Sequence, residues 1–318
     1  MVTAIPPLTD SEQLELGQTE IHQPEATNDS KLVIASYNIR YARGRYLISG
    51  GLRRKLGLMS LARRPEHVAR MISAAARAFT DGRLLPPPHI LALQEADKRT
   101  RRAGGHHVAK ELAAQMEMNW AHAPAGIPRG IKPVKRQWWL DFEEPIDLHD
   151  SGDTGVALLS RVPLRDETRI DLPWHECRWR PRLAIAATIS LNSQPLRLFN
   201  AHVDPHAASG GQLAQLEVIT AEAERDNLPT IILGDFNTLS RQKCIDTRQF
   251  LESRGYTTPF PTGIATWRGG LRMHADWIFV RGVRIERWGV ARPLNVSDHW
   301  PIWAEVSHKE AQKAQMPL

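Results

Sequence analysis

Small polar and charged side chains recur where apolar runs of strand length begin or end: Asn38, Glu95, His202 with Asp204, Asp235 with Asn237, Asp276, and Asp298 with His299. Any one of them alone reads as a cap or turn residue. Together they are carboxylates, carboxamides and histidines without a thiol, a donor set that suits a hard, water-retaining ion such as Mg²⁺ or Mn²⁺. Zinc is disfavoured, because cysteines and clustered histidines are missing from the pattern. A hard ion beside an imidazole and a carboxylate is equipped to drive attack of water on a phosphoester. Phosphoryl chemistry asks for charge neutralisation more than for covalent help.

These residues need elements to position them. The run Leu32-Val33-Ile34-Ala35-Ser36-Tyr37 predicts a strand that delivers Asn38, and a strand over 89–94 delivers Glu95. Further strands are expected over 154–160, 165–170, 182–191, 196–202, 229–233, 274–280, 283–290 and 300–306. Apolar spacing predicts helices over 66–79, 107–116, 212–226 and near 245–253, with Pro65 at the first turn of the first. Most strand-to-strand connections are too short for parallel crossovers, yet helices intervene at three places. The expected fold class is therefore α/β, two mixed, mostly antiparallel sheets covered by helices.

The 318 residues are 42% apolar and 24% charged, a globular mix that excludes a mainly disordered chain. No apolar stretch approaches the ~18 residues of a membrane helix, and no secretory leader is visible, so the expected location is cytoplasmic. Cys177 and Cys244 are too far apart for a CxxC metal site or a disulfide framework. Residues 1–30 hold six acids and no Lys or Arg, and read as a mobile tail. Folded structure is expected from Lys31 to His308 as one domain, followed by a short tail over 309–318. Beyond the acidic tail the chain has 41 basic against 29 acidic residues, a field that attracts anions: nucleic acid, lipid head groups or phosphorylated small molecules. Residues 40–64 contain eight basic residues and no acid, and read as a basic insertion; residues 127–153 read as a long surface loop or substrate rim.

In order, Ser36-Tyr37-Asn38-Ile39-Arg40, Leu93-Gln94-Glu95, Gly155-Val156-Ala157-Leu158-Leu159-Ser160-Arg161, Asn200-Ala201-His202-Val203-Asp204, Gly234-Asp235-Phe236-Asn237, Asp276-Trp277-Ile278-Phe279-Val280 and Ser297-Asp298-His299-Trp300-Pro301 resemble the motif series of the endonuclease/exonuclease/phosphatase superfamily. The resemblance spans about residues 31–306 and implies a four-layer α/β sandwich. By the same resemblance Glu95 is the main metal ligand, supported by Asn38 and Asp298. Asp235 and Asn237 orient or deprotonate the attacking water, or complete a second metal site. His299, steadied by Asp276, is a base or a contact to the scissile phosphate. His202 is a further donor or acid, and Arg182 resembles an arginine that touches substrate phosphate. Asp204, Arg40 and Arg43 are further candidate substrate contacts.

Two departures narrow the reading. Apurinic endonucleases of the superfamily tend to carry Tyr where His202 stands, and Asn shortly after it where this chain has Pro205-His206. The stretch from Gln94 to Thr100, with Leu172-Pro173, is more similar to a broad bacterial branch. The leading expectation is a Mg²⁺- or Mn²⁺-dependent phosphodiesterase acting on nucleic acid as a monomer. Residues 40–64 and 132–136 would touch the backbone, and Trp138, Trp139 or Trp179 would stack on bases. The alternative keeps the same centre for a lipid or small phosphoester, with the Trp residues and residues 47–61 meeting a membrane surface or head group. A non-catalytic binding module is a third reading, against which every expected ligand type is present. His106, His107, His206, His274 and His308 have no evident partner in the sequence and read as surface or packing residues.

Overall fold

A computed structural model describes residues 13–18, 30–44, 63–127, 144, 146, 149–174, 181–268 and 272–308. Its strands are β1 (Glu15–Gly17), β2 (Lys31–Asn38), β3 (Ile90–Gln94), β4 (Asn119–Pro124), β5 (Gly155–Ser160), β6 (Arg165–Asp171), β7 (Leu183–Leu191), β8 (Gln194–His202), β9 (Thr230–Asp235), β10 (Trp267–Arg268), β11 (Arg272–Met273), β12 (Asp276–Arg281), β13 (Val283–Val290) and β14 (Ile302–His308). The helices are α1 (Arg64–Thr80), α2 (Val108–Met116), α3 (Ser209–Arg225) and α4 (Arg241–Glu252).

Seven strands form one sheet in the order β1-β4-β5-β3-β2-β14-β13, and five form a second in the order β12-β9-β8-β7-β6. β2 and β3 run parallel in the first, β8 and β9 in the second, and the other pairs are antiparallel. Both parallel pairs are joined through a helix, α1 and α3 respectively, as parallel neighbours require. The result is a four-layer α/β sandwich of two mixed sheets with helices outside, as expected.

Alternation sorts each strand's side chains between layers. Along β2, Leu32 and Ile34 enter the core shared by the two sheets, while Ala35 and Tyr37 pack with Val68, Ile72, Ala75 and Phe79 of α1. Along β3, Ile90 and Ala92 face inward, and Leu91 and Leu93 face the helices. Two further steps of the same alternation turn Ser36, Asn38 and Gln94 inward, where the core gives way to polar contacts. Asn200 of β8 answers from the opposite sheet. Its amide donates to the carbonyls of Leu93 and Ala157, both at 2.9 Å, and accepts from Gln94 Nε2 at 2.6 Å.

At Gly234 the sheet tolerates no side chain. Its φ is +143°, and a Cβ there would sit 2.0 Å from the Ala201 carbonyl oxygen of β8. This close approach sets the height of Asp235 beside His202, its register partner.

Three findings depart from the sequence reading. The acidic tail is not wholly separate from the fold, because β1 pairs with β4 and forms the edge of the first sheet, Glu15 opposite His122. Strand β4, Asn-Trp-Ala-His-Ala-Pro, escaped notice because it lacks the β-branched run that marks a strand. The hairpin β10–β11 is built of two-residue strands, too short for any periodicity. Residues 45–62, 128–143, Trp179 and 309–318 lie outside the described residues, as do most of the basic insertion, Lys132 to Arg136, Trp138 and Trp139.

Asn200→Leu removes three buried hydrogen bonds while keeping the branched shape of the side chain, so it should lower the unfolding free energy by about 3 kcal/mol. Urea unfolding measures it. The double variant Gln94→Leu/Asn200→Leu should recover part of that loss, because the two amides then disappear together.

Candidate active site

The inward positions at the ends of β2, β8 and β9 and at the start of β12 bring Asn38, His202, Asp235 and Asp276 to one edge of the sandwich. Asp235 is the centre. Its Oδ2 accepts from Asn38 Nδ2 at 2.8 Å and is flanked by His202 Nε2 at 3.6 Å and His299 Nε2 at 3.7 Å. Its Oδ1 accepts the backbone N–H of Asn237 at 2.9 Å. Asn38 Nδ2 also lies 3.3 Å from Glu95 Oε1, so one carboxamide links carboxylates delivered by two different sheets. His299 Nδ1 stands 2.9 Å from Asp276 Oδ2, which directs Nε2 toward Asp235.

The backbone is strained where it aims these groups. Glu95 has φ +51° and Asn237 +52°, a left-handed conformation that L side chains adopt at a cost. Arg40, Tyr41 and Ala42 form a left-handed turn with φ between +43° and +54°. That turn is held by Tyr41 N–H to the Glu95 carbonyl (2.9 Å) and Ile39 N–H to the Gln94 carbonyl (3.1 Å). It folds Arg40 back over the site. Arg40 N–H donates to Asn38 Oδ1 at 3.0 Å, and its guanidinium meets Asp298 Oδ2 at 2.9 Å.

The expected residues therefore fall into two groups. Asn38, Glu95, His202, Asp235, Asp276 and His299 form a connected cluster, with Asn237 attached through its backbone. Asp298 reaches that cluster through Arg40, and Trp267 Nε1–H supports it at 3.1 Å. Arg182 Nη1 lies 2.9 Å from both ring nitrogens of His202, which puts the guanidinium in direct contact with the imidazole. Asp204 is committed to its own turn, accepting the His206 N–H at 2.9 Å. Arg40 and Arg43 do not present free charges to a substrate. Arg40 is buried on Asp298, and Arg43 is buried on Glu144 (3.1 Å), which also takes Arg64 (2.8 Å). Their burial in the interior demands ion-pair partners, and the fold supplies them.

Two buried glutamines of α3 were not singled out by the sequence. Gln212 Nε2 donates to the carbonyls of Asp204 (2.8 Å) and Asn237 (3.1 Å). Gln215 takes the Asp204 N–H at 2.9 Å and donates to the Pro173 carbonyl at 2.8 Å. They fasten the loops around His202 and Asp235 to one helix. The signal available was Gln212 standing in the buried stripe of Leu216, Ile219 and Ala223.

Burial works against a charge on His299, but the carboxylates of Asp276, Asp235 and Asp298 outweigh it and lift its pKa to about 10. Burial raises Asp235 to about 6 against the pull of His299. For Asp298 burial is outweighed by Arg40 and His299, which hold its carboxyl below the usual range. The donor set fits a divalent cation. Asp235, Asp276 and His299 can each offer one donor atom with all three within 4.8 Å of one another. Asp276 Oδ1 is buried and has no hydrogen-bond partner among the described residues.

A carboxylate and imidazole cluster at one edge of a four-layer sandwich is the layout of a phosphoesterase scaffold. The chain belongs to the endonuclease/exonuclease/phosphatase family, whose model matches residues 35–299. Among solved structures it is similar to an endonuclease/exonuclease/phosphatase from Beutenbergia cavernae, with 13% identity, a TM-score of 0.58, and coverage of 88% of this chain and 72% of that one. It is also similar to D. rerio TDP2 complexed with single-strand DNA product (17% identity, TM-score 0.56, 88% and 100% coverage). A third is ANGEL2, a 2',3'-cyclic phosphatase, in complex with adenosine-2',3'-vanadate (14% identity, TM-score 0.56, 89% and 97% coverage). At these identities the likeness concerns the fold. No curated protein sequence matches the chain.

With chelator present, the raised pKa of His299 has a consequence for stability. A base whose folded pKa of about 10 exceeds its unfolded value of 6.5 stabilises the native state fully below pH 6.5 and loses that contribution as pH rises toward 10. Urea unfolding at pH 6.5 and 9.5 should therefore show a loss in the parent chain that is smaller in His299→Gln. Equal losses in the two proteins would contradict the assignment.

Proposed function

We propose that the chain is a divalent-metal-dependent phosphodiesterase that hydrolyses nucleic acid by attack of an activated water. The observation that carries this reading is the single carboxylate, Asp235, held between two imidazoles and joined to Glu95 through Asn38.

In this reading Asp235 Oδ2 accepts the proton of the attacking water, oriented by Asn38 and by the Asn237 backbone. His299, fixed by Asp276, donates from Nε2 to a phosphate oxygen. His202 and Arg182, already in contact, bind the phosphate from the other side and offset its charge. Glu95, supported by Asn38 and Asp298, would hold Mg²⁺ or Mn²⁺ beside Asp235. When bound, such an ion neutralises charge on the phosphoryl oxygens. The buried carboxylates favour a cation there because a positive charge relieves the mutual repulsion that His299 and Arg40 offset in part.

Nucleic acid is preferred over a lipid for two reasons. Outside its acidic first thirty residues the chain is strongly basic. The similar fold of D. rerio TDP2 is described with a single-strand DNA product, and that of ANGEL2 with an adenosine-2',3'-vanadate. Arg182 is given the phosphate contact in this reading, because Arg40 and Arg43 are each held on a buried carboxylate.

The test is Mg²⁺-dependent nicking of supercoiled plasmid at two salt concentrations. Glu95→Gln and Asp235→Ala should each reduce the rate at least about 100-fold while their circular dichroism is unchanged. Nicking should also weaken as salt rises. Parental rates in either variant would remove the assignment. An intact plasmid with hydrolysis of phospholipid vesicles would move the substrate to a lipid phosphoester.

A further inference from the structure

A second group of ligating side chains lies away from the Asp235 cluster, where the N-terminal strand meets the domain. Glu15 on β1, His107 at the start of α2 and His122 on β4 can each present one donor atom, all three within 4.8 Å of one another. The register of β1 on β4 sets Glu15 opposite His122. The rings of His107 and His122 stand 5.1 Å apart. The three residues are far apart in sequence, and only the sheet edge and the turn before α2 bring them together.

His122 is wholly buried, and its two nitrogens are not equivalent. Nε2 faces the Ala96 carbonyl at 2.8 Å and must donate to it, because a carbonyl only accepts. Nδ1 then carries the lone pair of a neutral ring, and it has no hydrogen-bond partner among the described residues. Histidines bound to a metal are commonly held in this way, one nitrogen on the ion and the other N–H on a backbone carbonyl. His107 Nε2 points at Glu15 Oε2 at 3.0 Å. The other oxygen of Glu15 is held by the Lys98 ammonium. Such a second partner orients a ligating carboxylate.

We infer that Glu15, His107 and His122 form a second metal site, for a borderline ion of the Zn²⁺ type, that clips the N-terminal strand to the domain. Two imidazoles and one carboxylate match Zn²⁺ rather than the hard ions suited to the Asp235 cluster. Water completes the tetrahedron. Binding moves the His107 proton from Nε2 to Nδ1, and the long contact from the Lys110 N–H to Nδ1, 3.3 Å, gives way. Lys98 remains on Glu15, and its charge makes the site weaker than a four-ligand structural zinc site. The inference is independent of the phosphodiesterase reading, since none of its residues belongs to that cluster.

The full-length protein, stripped with chelator and returned to excess Mg²⁺, would be titrated with Zn²⁺ against a chromogenic chelator. One equivalent should bind. Glu15→Gln and His107→Gln should each weaken it by about tenfold or more, whereas Asp235→Asn should retain it. Glu15 lies on an edge strand outside the core, so its variant is expected to fold, and a thermal melt verifies that. Zn²⁺ should also raise the melting temperature of the parent chain and not that of Glu15→Gln. Equal Zn²⁺ affinity in Glu15→Gln, loss of the equivalent only in Asp235→Asn, or no Zn²⁺ bound by the parent chain would each overturn the inference.

Discussion

Two buried carboxamides joining the inner faces of the sheets are the contacts on which the active edge depends. Asn200 reaches across to Gln94 and to two backbone carbonyls of the first sheet, and Asn38 reaches from the first sheet to Asp235 on the second. An apolar core alone would set the separation of the sheets but not their sliding, since dispersion and the hydrophobic effect have little direction. Hydrogen bonds between buried amides are directional and costly to leave unmade. Placed at the strand ends, they fix the distance between Glu95 and Asp235 to within the reach of one asparagine side chain.

That rigidity allows strain to be held where side chains must be aimed. Glu95 and Asn237 stand in left-handed conformations, and three successive residues from Arg40 to Ala42 do the same. Each such residue costs roughly 1–2 kcal/mol relative to ordinary backbone. The surrounding ladder offsets this by hydrogen bonds from the turn to the Gln94 and Glu95 carbonyls. Gln212 and Gln215 act likewise on the opposite side, tying loops to α3 through their backbone atoms.

Electrostatics then decides what the interior positive charges do. The basic residues at positions 40, 43 and 64 look in sequence like a surface for anions, yet each is buried on a carboxylate, Asp298 or Glu144. A guanidinium inside a protein cannot lose its proton, so a carboxylate must follow it. Arg40 thereby pairs with the Asp298 carboxylate at the border of the Asp235 cluster. Arg182, by contrast, sits against the imidazole of His202 and brings a guanidinium to the edge of the Asp235 cluster.

Sequence by itself determined the α/β class, nearly all the long strands and helices, and which polar residues stand at the strand ends of the candidate site. Periodicity and strand-end position are local properties, so Asn38, Asp235, Asp276 and His299 were legible before any contact was known. Tertiary structure alone decided which of these touch. It joined Asp298 to the cluster through Arg40, turned Arg40 and Arg43 inward, enlisted Gln212 and Gln215, and drew Glu15 from a tail onto a sheet edge beside two histidines that looked unremarkable in the chain. The physical reason is that these outcomes depend on contacts made between separate elements and across loops, or on left-handed backbone, and neither leaves a periodic trace in sequence.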